Sequence, residues 1–390
     1  MGKCGPSKLD LPLVEEDSIG GFTFHQFSIA LAAAFTIAAG VLSFYLIFRH
    51  ITNYNKPLEQ KQNVRIIFMV PVYGLTSCLA IKYYEHHVYL EAVHQLYEAL
   101  VLASFFVLLC RYMAPTTQEL EERFKEIEPR SWIPPIKWLN MCTGGKGRGP
   151  FRTPRSGVTY IHVITIGVFQ YSVVKLCTTL ITFITEATDT YCAESKSTSH
   201  AAIWVKAIQI ISLIIAMIFL MQFYLQFKES LRHHNPFLKF LAIKFVVFLS
   251  YVQTFILNQL TTGDSPTMKP SSKISYQSLD IGIPNMVLCI EMAIAAIIHL
   301  WAYPWRGYRD AGIENPMQVL SESATELTDR EGGSADEIDS SPKSFMAKPT
   351  SLGSALRIFA DAMNFWDIMK EVAYSIHWLF VEKKRQPHPF

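Results

Sequence analysis

The chain has 390 residues, of which half are apolar and only 17% are charged. A soluble protein of this length carries more charge, so the composition is typical of an integral membrane protein and excludes an ordinary soluble one. The net charge of +2 is uninformative as a total, because the positions of Lys and Arg carry the information in a membrane protein. We therefore expect a lipid bilayer among its partners and no nucleic acid.

Seven apolar stretches are each long enough to cross a bilayer as a tilted helix. They cover residues 24–48, 64–83, 89–113, 157–184, 201–227, 237–260 and 281–303. Within them, Pro71 and Pro284 are expected to kink their helices, because proline lacks the N–H that a helix interior requires. The sequence predicts an all-α fold, a multi-pass membrane bundle of seven transmembrane helices between residues 24 and 309.

Lys and Arg are concentrated in the connections after the first, third and fifth stretches and in the C-terminal tail. Connections rich in Lys and Arg stay in the cytosol. This distribution predicts an extracytosolic N-terminal segment, residues 1–23, and a cytosolic C-terminus.

Two further segments follow the bundle. Residues 310–353 are rich in Ser, Pro and acidic residues, which indicates a disordered linker. Residues 354–383 show apolar positions at helical spacing, which predicts a cytosolic amphipathic helix. The apolar positions are Leu356, Phe359, Met363, Trp366, Met369, Val372 and Ala373. Acids and bases are mixed between them, so we expect this helix to dock on the cytosolic mouth of the bundle rather than lie in the membrane interface.

The longest connection, residues 114–156, carries Trp132 and Trp138 among basic residues, which suits the lipid headgroup layer. Cys142 lies at that depth and is a candidate for S-palmitoylation, with a plain cytosolic thiol as the open alternative. The seven Cys are odd in number and include no C-x-x-C pair. We therefore expect no structural disulfide and no zinc site.

Charged and polar residues inside the stretches are the candidate functional residues. Glu98, Lys175 and Glu291 all fall roughly 13 to 15 Å from the outer ends of their helices, near the middle of a bilayer. Lys244 and Gln253 interrupt the sixth stretch. Such residues mark substrate or proton pathways, so we predict that these five line a substrate path. A buried ion pair that only fixes helix register is the alternative for the first three, and snorkelling to the headgroups is the alternative for Lys244.

Catalytic and metal sites find little support in the sequence. Glu91 and His94 have the E-x-x-H spacing of di-metal bundles and share a helix stripe with Glu98, but the matching second motif is absent. No Ser-His-Asp order and no H-E-x-x-H motif can be assembled. We therefore expect no metal, no cofactor and no enzymatic activity.

Five motifs taken together resemble the eukaryotic organic solute transporter alpha-subunit family. They are V-P-V-Y-G at Val70–Gly74, Y-E-A-L at Tyr97–Leu100, G-V-F-Q-Y-S-V-V-K at Gly167–Lys175, K-F-L-A-I-K-F-V-V-F-L-S at Lys239–Ser250 with Gln253, and C-I-E-M at Cys289–Met292. The resemblance implies seven helices, a cytosolic C-terminus and movement of amphipathic organic anions such as steroid or bile-acid conjugates. It also implies a lipid-modified, Cys-rich stretch between the third and fourth spans, where this chain has only Cys142.

The sequence thus predicts a transporter-like protein in which Lys175 and Lys244 pair with the anionic group of the solute. Glu98 and Glu291 would balance charge or relay protons. The alternative is a seven-span receptor or a signalling or trafficking scaffold without transport, and removing everything after Gly312 should abolish function only in that case. The resemblance implies a single-span partner subunit in some members, and a homo-oligomer is the other expectation. A plasma membrane and a vacuolar or endosomal membrane both remain open.

Overall fold

The computed structural model describes residues 4, 13–17, 20–114, 117–142, 153–193, 197–243, 253, 256, 269–309 and 352–378. These residues form helices and no β-sheet, which confirms the all-α prediction. The helices are α1 Phe24–Thr52, α2 Pro57–Ile67, α3 Met69–Lys82, α4 His87–Met113, α5 Thr117–Lys125, α6 Ile136–Cys142, α7 Gly157–Ala187, α8 Ala201–Leu231, α9 Ile283–Ala302, α10 Leu352–Ala362 and α11 Trp366–His377. Residues 236–243 are also helical.

Six helical segments in the described part of the chain are long and apolar enough to cross a membrane. They are Phe24–Thr52, Pro57–Lys82, Tyr84–Met113, Gly157–Ala187, Ala201–His234 and Ser278–Arg309. The predicted sixth stretch, residues 237–260, lies mostly outside the described residues. The count of seven spans and the orientation of the termini therefore stay predictions.

Both intramembrane prolines coincide with departures from regular α-helix. Pro71 lies in the first turn of α3, just after the break at Phe68 that separates α2 from α3. Pro284 lies at the start of α9, directly after a π-helical turn at Ser278–Gly282. A proline cannot donate to the carbonyl four residues earlier, so each break falls where a ladder hydrogen bond is missing.

The helices pack in a continuous series. Helix α8 packs along α7, α7 against α4, α4 against α2 and α3, and α3 against α1 and α9. Helices α7 and α8 approach closely at Gly167, where an added Cβ would overlap a ring carbon of Phe219. The absence of a side chain at Gly167 therefore sets how closely these two helices pack.

The N-terminal segment is tied to the end of α7 by a disulfide between Cys4 and Cys192, whose Cα atoms are 5.4 Å apart. The backbone N–H of Cys4 also donates to the carbonyl of Asp189 at 2.9 Å. The expectation of no structural disulfide is therefore wrong. It relied on local Cys spacing, whereas these two residues are 188 positions apart and meet only because both segments lie at the same end of the bundle.

Glu15 fixes the N-terminal segment at this end. Its carboxylate accepts the backbone N–H of His25 at 2.7 Å and both the N–H and the hydroxyl of Ser275, at 2.9 and 2.8 Å. Burial alone raises the pKa of Glu15, but the hydrogen bonds from Ser278, Ser275 and His25 outweigh it and hold that pKa below its ordinary value. The ionised carboxylate thus joins the segment to the start of α1 and to the chain before α9.

The predicted C-terminal helix, residues 354–383, is two helices in the structure. Helix α10 ends at Ala362, α11 begins at Trp366, and the described chain stops at residue 378. The predicted linker, residues 310–353, lies outside the described residues except for its last two positions.

Candidate functional site

Two of the predicted path residues lie in one polar region inside the bundle. Glu98 lies near the middle of α4 and Lys175 lies in α7, and their exposed fractions are only 7% and 4%. Helix α4 packs between α3 and α7, and α8 packs along α7. Polar groups on α4 therefore lie close to polar groups on α3, α7 and α8. We call this group the central polar cluster. Its members are Tyr73, His94, Gln95, Glu98, Lys175 and Gln209.

The ammonium of Lys175 is held by neutral amides. Its Nζ donates to Oε1 of Gln95 on α4 at 2.9 Å and to Oε1 of Gln209 on α8 at 2.7 Å. The amide of Gln209 in turn donates to the hydroxyl of Thr178 at 2.9 Å. A buried ammonium is tolerable only when its protons find acceptors, and these amides supply them from both neighbouring helices.

The Glu98 carboxylate accepts a hydrogen bond from the hydroxyl of Tyr73 on α3 at 3.1 Å. The Tyr73 ring lies 4.5 Å from the His94 ring, and Nδ1 of His94 is 3.2 Å from the Thr76 hydroxyl. His94 lies within electrostatic range of both Glu98 and Lys175. A carboxylate, an imidazole and an ammonium therefore share one buried cluster, which can bind an anion or pass a proton.

Glu291 stands apart from the central polar cluster. It lies on α9, which packs mainly on α1 and α3, and its exposed fraction is 6%. Its Oε2 atom has no hydrogen-bond partner within the described chain. This oxygen is therefore an acceptor left open inside the bundle.

The sixth stretch touches α9 at the described residue Gln253. Its amide donates to the carbonyl of Pro284 at 2.7 Å, beside the π-helical turn, and its Oε1 finds no partner among the described residues. Lys244 lies outside the described residues. The structure thus places four of the five predicted path residues, two of them together and two on or beside α9.

The connection after α4 places its aromatic residues differently. Cys142 is exposed at the end of α6, and Trp138 on the same helix is 62% exposed, so their place in the headgroup layer stays a prediction. Trp132 is buried instead, stacked on Tyr160 at 5.1 Å, so its prediction as a headgroup residue is wrong. A Trp among basic residues does not reveal that the connection folds back onto α7.

A buried arginine that the sequence reasoning did not single out links the bundle to α10 and α11. Arg65 on α2 is fully buried, and its guanidinium pairs with both carboxylate oxygens of Asp367, at 3.0 and 2.7 Å. It also donates to the carbonyls of Ala362, at 2.6 Å, and Asn364. Arg65 therefore caps the carbonyl end of α10 and anchors the first turn of α11, which explains the break between them.

Further contacts seat α10 and α11 against α2, α4 and α7, and Arg111 on α4 pairs with Glu371 at 3.0 Å. Burial alone raises the pKa of Asp367, but Arg65 and Lys61 outweigh it and hold that pKa below its ordinary value. The apolar side chains of α10 and α11 that face the bundle are buried. They are Ile358, Ala362, Ile368, Val372 and Trp378.

Within the part of the chain that the structure describes, no three His, Cys, Asp or Glu side chains come together in a way that could hold a metal ion. The sequence did not single out three members of the central polar cluster, which are Tyr73 and the neutral amides Gln95 and Gln209. The sequence signal that could have revealed the two amides is a Gln inside an apolar helical stretch.

Comparison with known proteins agrees with the motifs. Residues 28–308 match the protein family described as organic solute transporter Ostalpha. A transmembrane protein 184 homolog from Dictyostelium discoideum is 31% identical over 290 residues, which is 73% of this chain and 53% of the relative. Protein LAZ1 homolog 1 from Arabidopsis thaliana is 30% identical over 289 residues, which is 72% of this chain and 58% of the relative.

The chain spans a little over half the length of these curated relatives. No solved structure matches it. The family match and the six apolar helices establish an integral, multi-pass membrane protein. The match runs from within α1 past the end of α9, and the resemblance first seen in short motifs is thereby confirmed: the chain belongs to the family described as organic solute transporter Ostalpha.

Proposed function

We propose that this protein moves amphipathic organic anions, of the steroid or bile-acid type, across a membrane. The observation that supports this most is the central polar cluster, in which Glu98 and Lys175 lie buried in the middle of the bundle. Charged groups at this depth are unfavourable unless they serve a path or are fully paired. The proposal needs no cofactor and no catalytic step.

The surroundings of Lys175 suit reversible binding of an anion. Its ammonium donates to two neutral amide oxygens, Gln95 and Gln209. A carboxylate or sulfate oxygen is a stronger acceptor than an amide oxygen, so an arriving anion can replace an amide and leave again when the amide returns. Glu98 would balance the charge, and the buried Glu291 would carry a proton. Lys244 and Gln253 would extend this path.

The test is uptake of a labelled steroid sulfate by proteoliposomes that contain wild-type protein or Lys175→Gln. Loss of a charge-assisted hydrogen bond of about 1.5–3 kcal/mol should weaken apparent affinity about tenfold or more. Lys206→Gln is the matched control, because Lys206 is exposed on α8 and donates to the carbonyl of Ala193, outside the central polar cluster. Equal uptake by the two variants would refute the role of Lys175.

A signalling or trafficking scaffold is the second candidate. It is favoured by α10 and α11, which follow the predicted acidic linker in the sequence and dock on the bundle through the contact between Asp367 and Arg65. Removing everything after Gly312 is a poor test, because it would also leave the buried Arg65 without Asp367. Replacing residues 313–350 with Gly and Ser of equal length keeps that pair. Transport should survive this replacement, and loss of all cellular function with intact transport would favour the scaffold.

A single-span partner subunit or a second copy of the chain would complete the transporter, in the plasma membrane or in a vacuolar or endosomal membrane. Purification under mild detergent, followed by mass determination of the intact complex, distinguishes these assemblies.

A further inference from the structure

A second polar site lies at the end of the bundle opposite the disulfide. A cavity of about 310 Å³ opens there between the start of α2 and the ends of α4, α8 and α9. This volume lies at the lower end of the range for small-molecule pockets. Its charged and titratable lining consists of Lys56, Glu59, His233, His234 and Lys239, together with the hydroxyls of Tyr112, Tyr303 and Tyr308.

Lys239 is the central cation of this cavity. Its exposed fraction is 8%, and its Nζ donates to the Tyr112 hydroxyl at 2.6 Å while facing the rings of Tyr112 and Tyr303. No carboxylate lies within ion-pair distance of Lys239 among the described residues. An ammonium has three protons to donate, so this one is set up for an anionic acceptor.

The carboxylate that lines the cavity already has partners. Glu59 pairs with Lys56 at 3.6 Å and accepts the Tyr308 hydroxyl at 3.1 Å. The side-chain amide of Asn63 donates to the same Tyr308 hydroxyl at 3.0 Å. The two lysines of the cavity therefore outnumber its one carboxylate, and the cavity keeps a net positive charge.

The rim of the cavity is apolar. Trp301 is 70% exposed, Leu238 is 42% exposed, and the adjacent Phe237 is 63% exposed. An exposed Trp at a helix end is typical of the membrane interface. A ligand of this site can thus place a charged group in the cavity while its tail stays along the lipid-facing rim.

From this geometry we propose that the cavity binds the oxyanion headgroup of an amphipathic molecule, a phosphate or sulfate carried on an apolar tail. The phosphate of a phospholipid in the adjoining leaflet and the sulfate of a free solute share this chemistry. The proposal concerns binding alone and does not depend on transport.

The test is binding of short-chain phosphatidic acid, short-chain diacylglycerol and a steroid sulfate to purified full-length protein in detergent, measured by intrinsic tryptophan fluorescence. Wild-type protein should bind at least one of the two anionic probes more tightly than the diacylglycerol, which has the apolar tails but no phosphate. Tighter binding of phosphatidic acid than of the steroid sulfate identifies a lipid, and the reverse order identifies a solute. Equal binding of all three probes overturns the proposal.

Substitutions of the lysines that line the cavity test whether the probes bind there. Lys239→Gln should weaken binding about tenfold, the equivalent of one charge-assisted hydrogen bond, and Lys239→Arg should restore most of it. Lys56→Gln, at the half-exposed rim, should weaken binding about two- to fivefold and keeps the test informative if Lys239→Gln does not fold. Lys82→Gln, exposed at the other end of the bundle, is the control. Unchanged affinity in folded Lys239→Gln or in Lys56→Gln would overturn the proposal.

Discussion

Replacing Asp367 with Asn should loosen α10 and α11 from the bundle. The change removes the charge that pairs with the fully buried Arg65 while it keeps one acceptor oxygen. Breaking a fully buried ion pair costs about 3–5 kcal/mol. The Asp367 side chain is 39% exposed, so water replaces part of the loss and we expect about 2 kcal/mol, or roughly a thirtyfold rise in the undocked fraction.

Native cysteines report this undocking. Cys110 lines a small cavity beneath α11 together with Arg111 and Glu371, whereas Cys142 is exposed on α6. We expect Asp367→Asn to accelerate maleimide labelling of Cys110 by up to about thirtyfold. Labelling of Cys142, read by peptide mass mapping in the same sample, should stay constant.

The control is Asp361→Asn. Asp361 pairs with Lys61 at 3.1 Å, but its side chain is 59% exposed, so its loss should cost at most about 1 kcal/mol and change labelling less than about fivefold. Cys110 labelling at the wild-type rate in Asp367→Asn, or equal rates in both variants, would refute the argument that Arg65 holds α10 and α11 in place.

Three further predictions follow from other contacts. Cys4→Ser should leave Cys192 free to react with a thiol reagent under non-reducing conditions, whereas wild-type Cys192 should react only after reduction. Gly167→Ala should lower the free energy of unfolding by about 1–3 kcal/mol, because its Cβ would overlap the Phe219 ring. The measurement is a lower melting temperature in detergent. The stabilisation from Glu15, whose pKa is lowered, should be present above the ordinary carboxyl pKa and be lost as pH falls through its lower native value. Hydrogen exchange of residues 13–17 should show this pH dependence in wild type and not in Glu15→Gln.

The helices and the mid-membrane charges could be predicted because their signals are local. An apolar run long enough to span a bilayer and a charge within that run are visible without any knowledge of neighbours. Depth counting placed Glu98 and Lys175 level with each other, and they share the central polar cluster. The same counting placed Glu291 at that depth, but depth does not determine which helix face points where, and Glu291 lies apart on α9.

Contacts between distant parts of the chain could not be predicted in this way. Arg65 and Asp367 are 302 residues apart, and each looks like an ordinary surface charge in its own segment. The amides that hold Lys175 come from α4 and α8, and their pairing depends on how those helices pack. Cys4 and Cys192 likewise meet through the arrangement of the bundle rather than through spacing.

The central claim is that the protein carries an amphipathic anion across the membrane, and counterflow tests it most directly. Proteoliposomes preloaded with unlabelled steroid sulfate should accumulate the labelled compound transiently above its equilibrium level with wild-type protein, and much less with Lys175→Gln at the same protein content. Accumulation that is no greater than in protein-free liposomes, with and without a co-purified partner subunit, would contradict the claim.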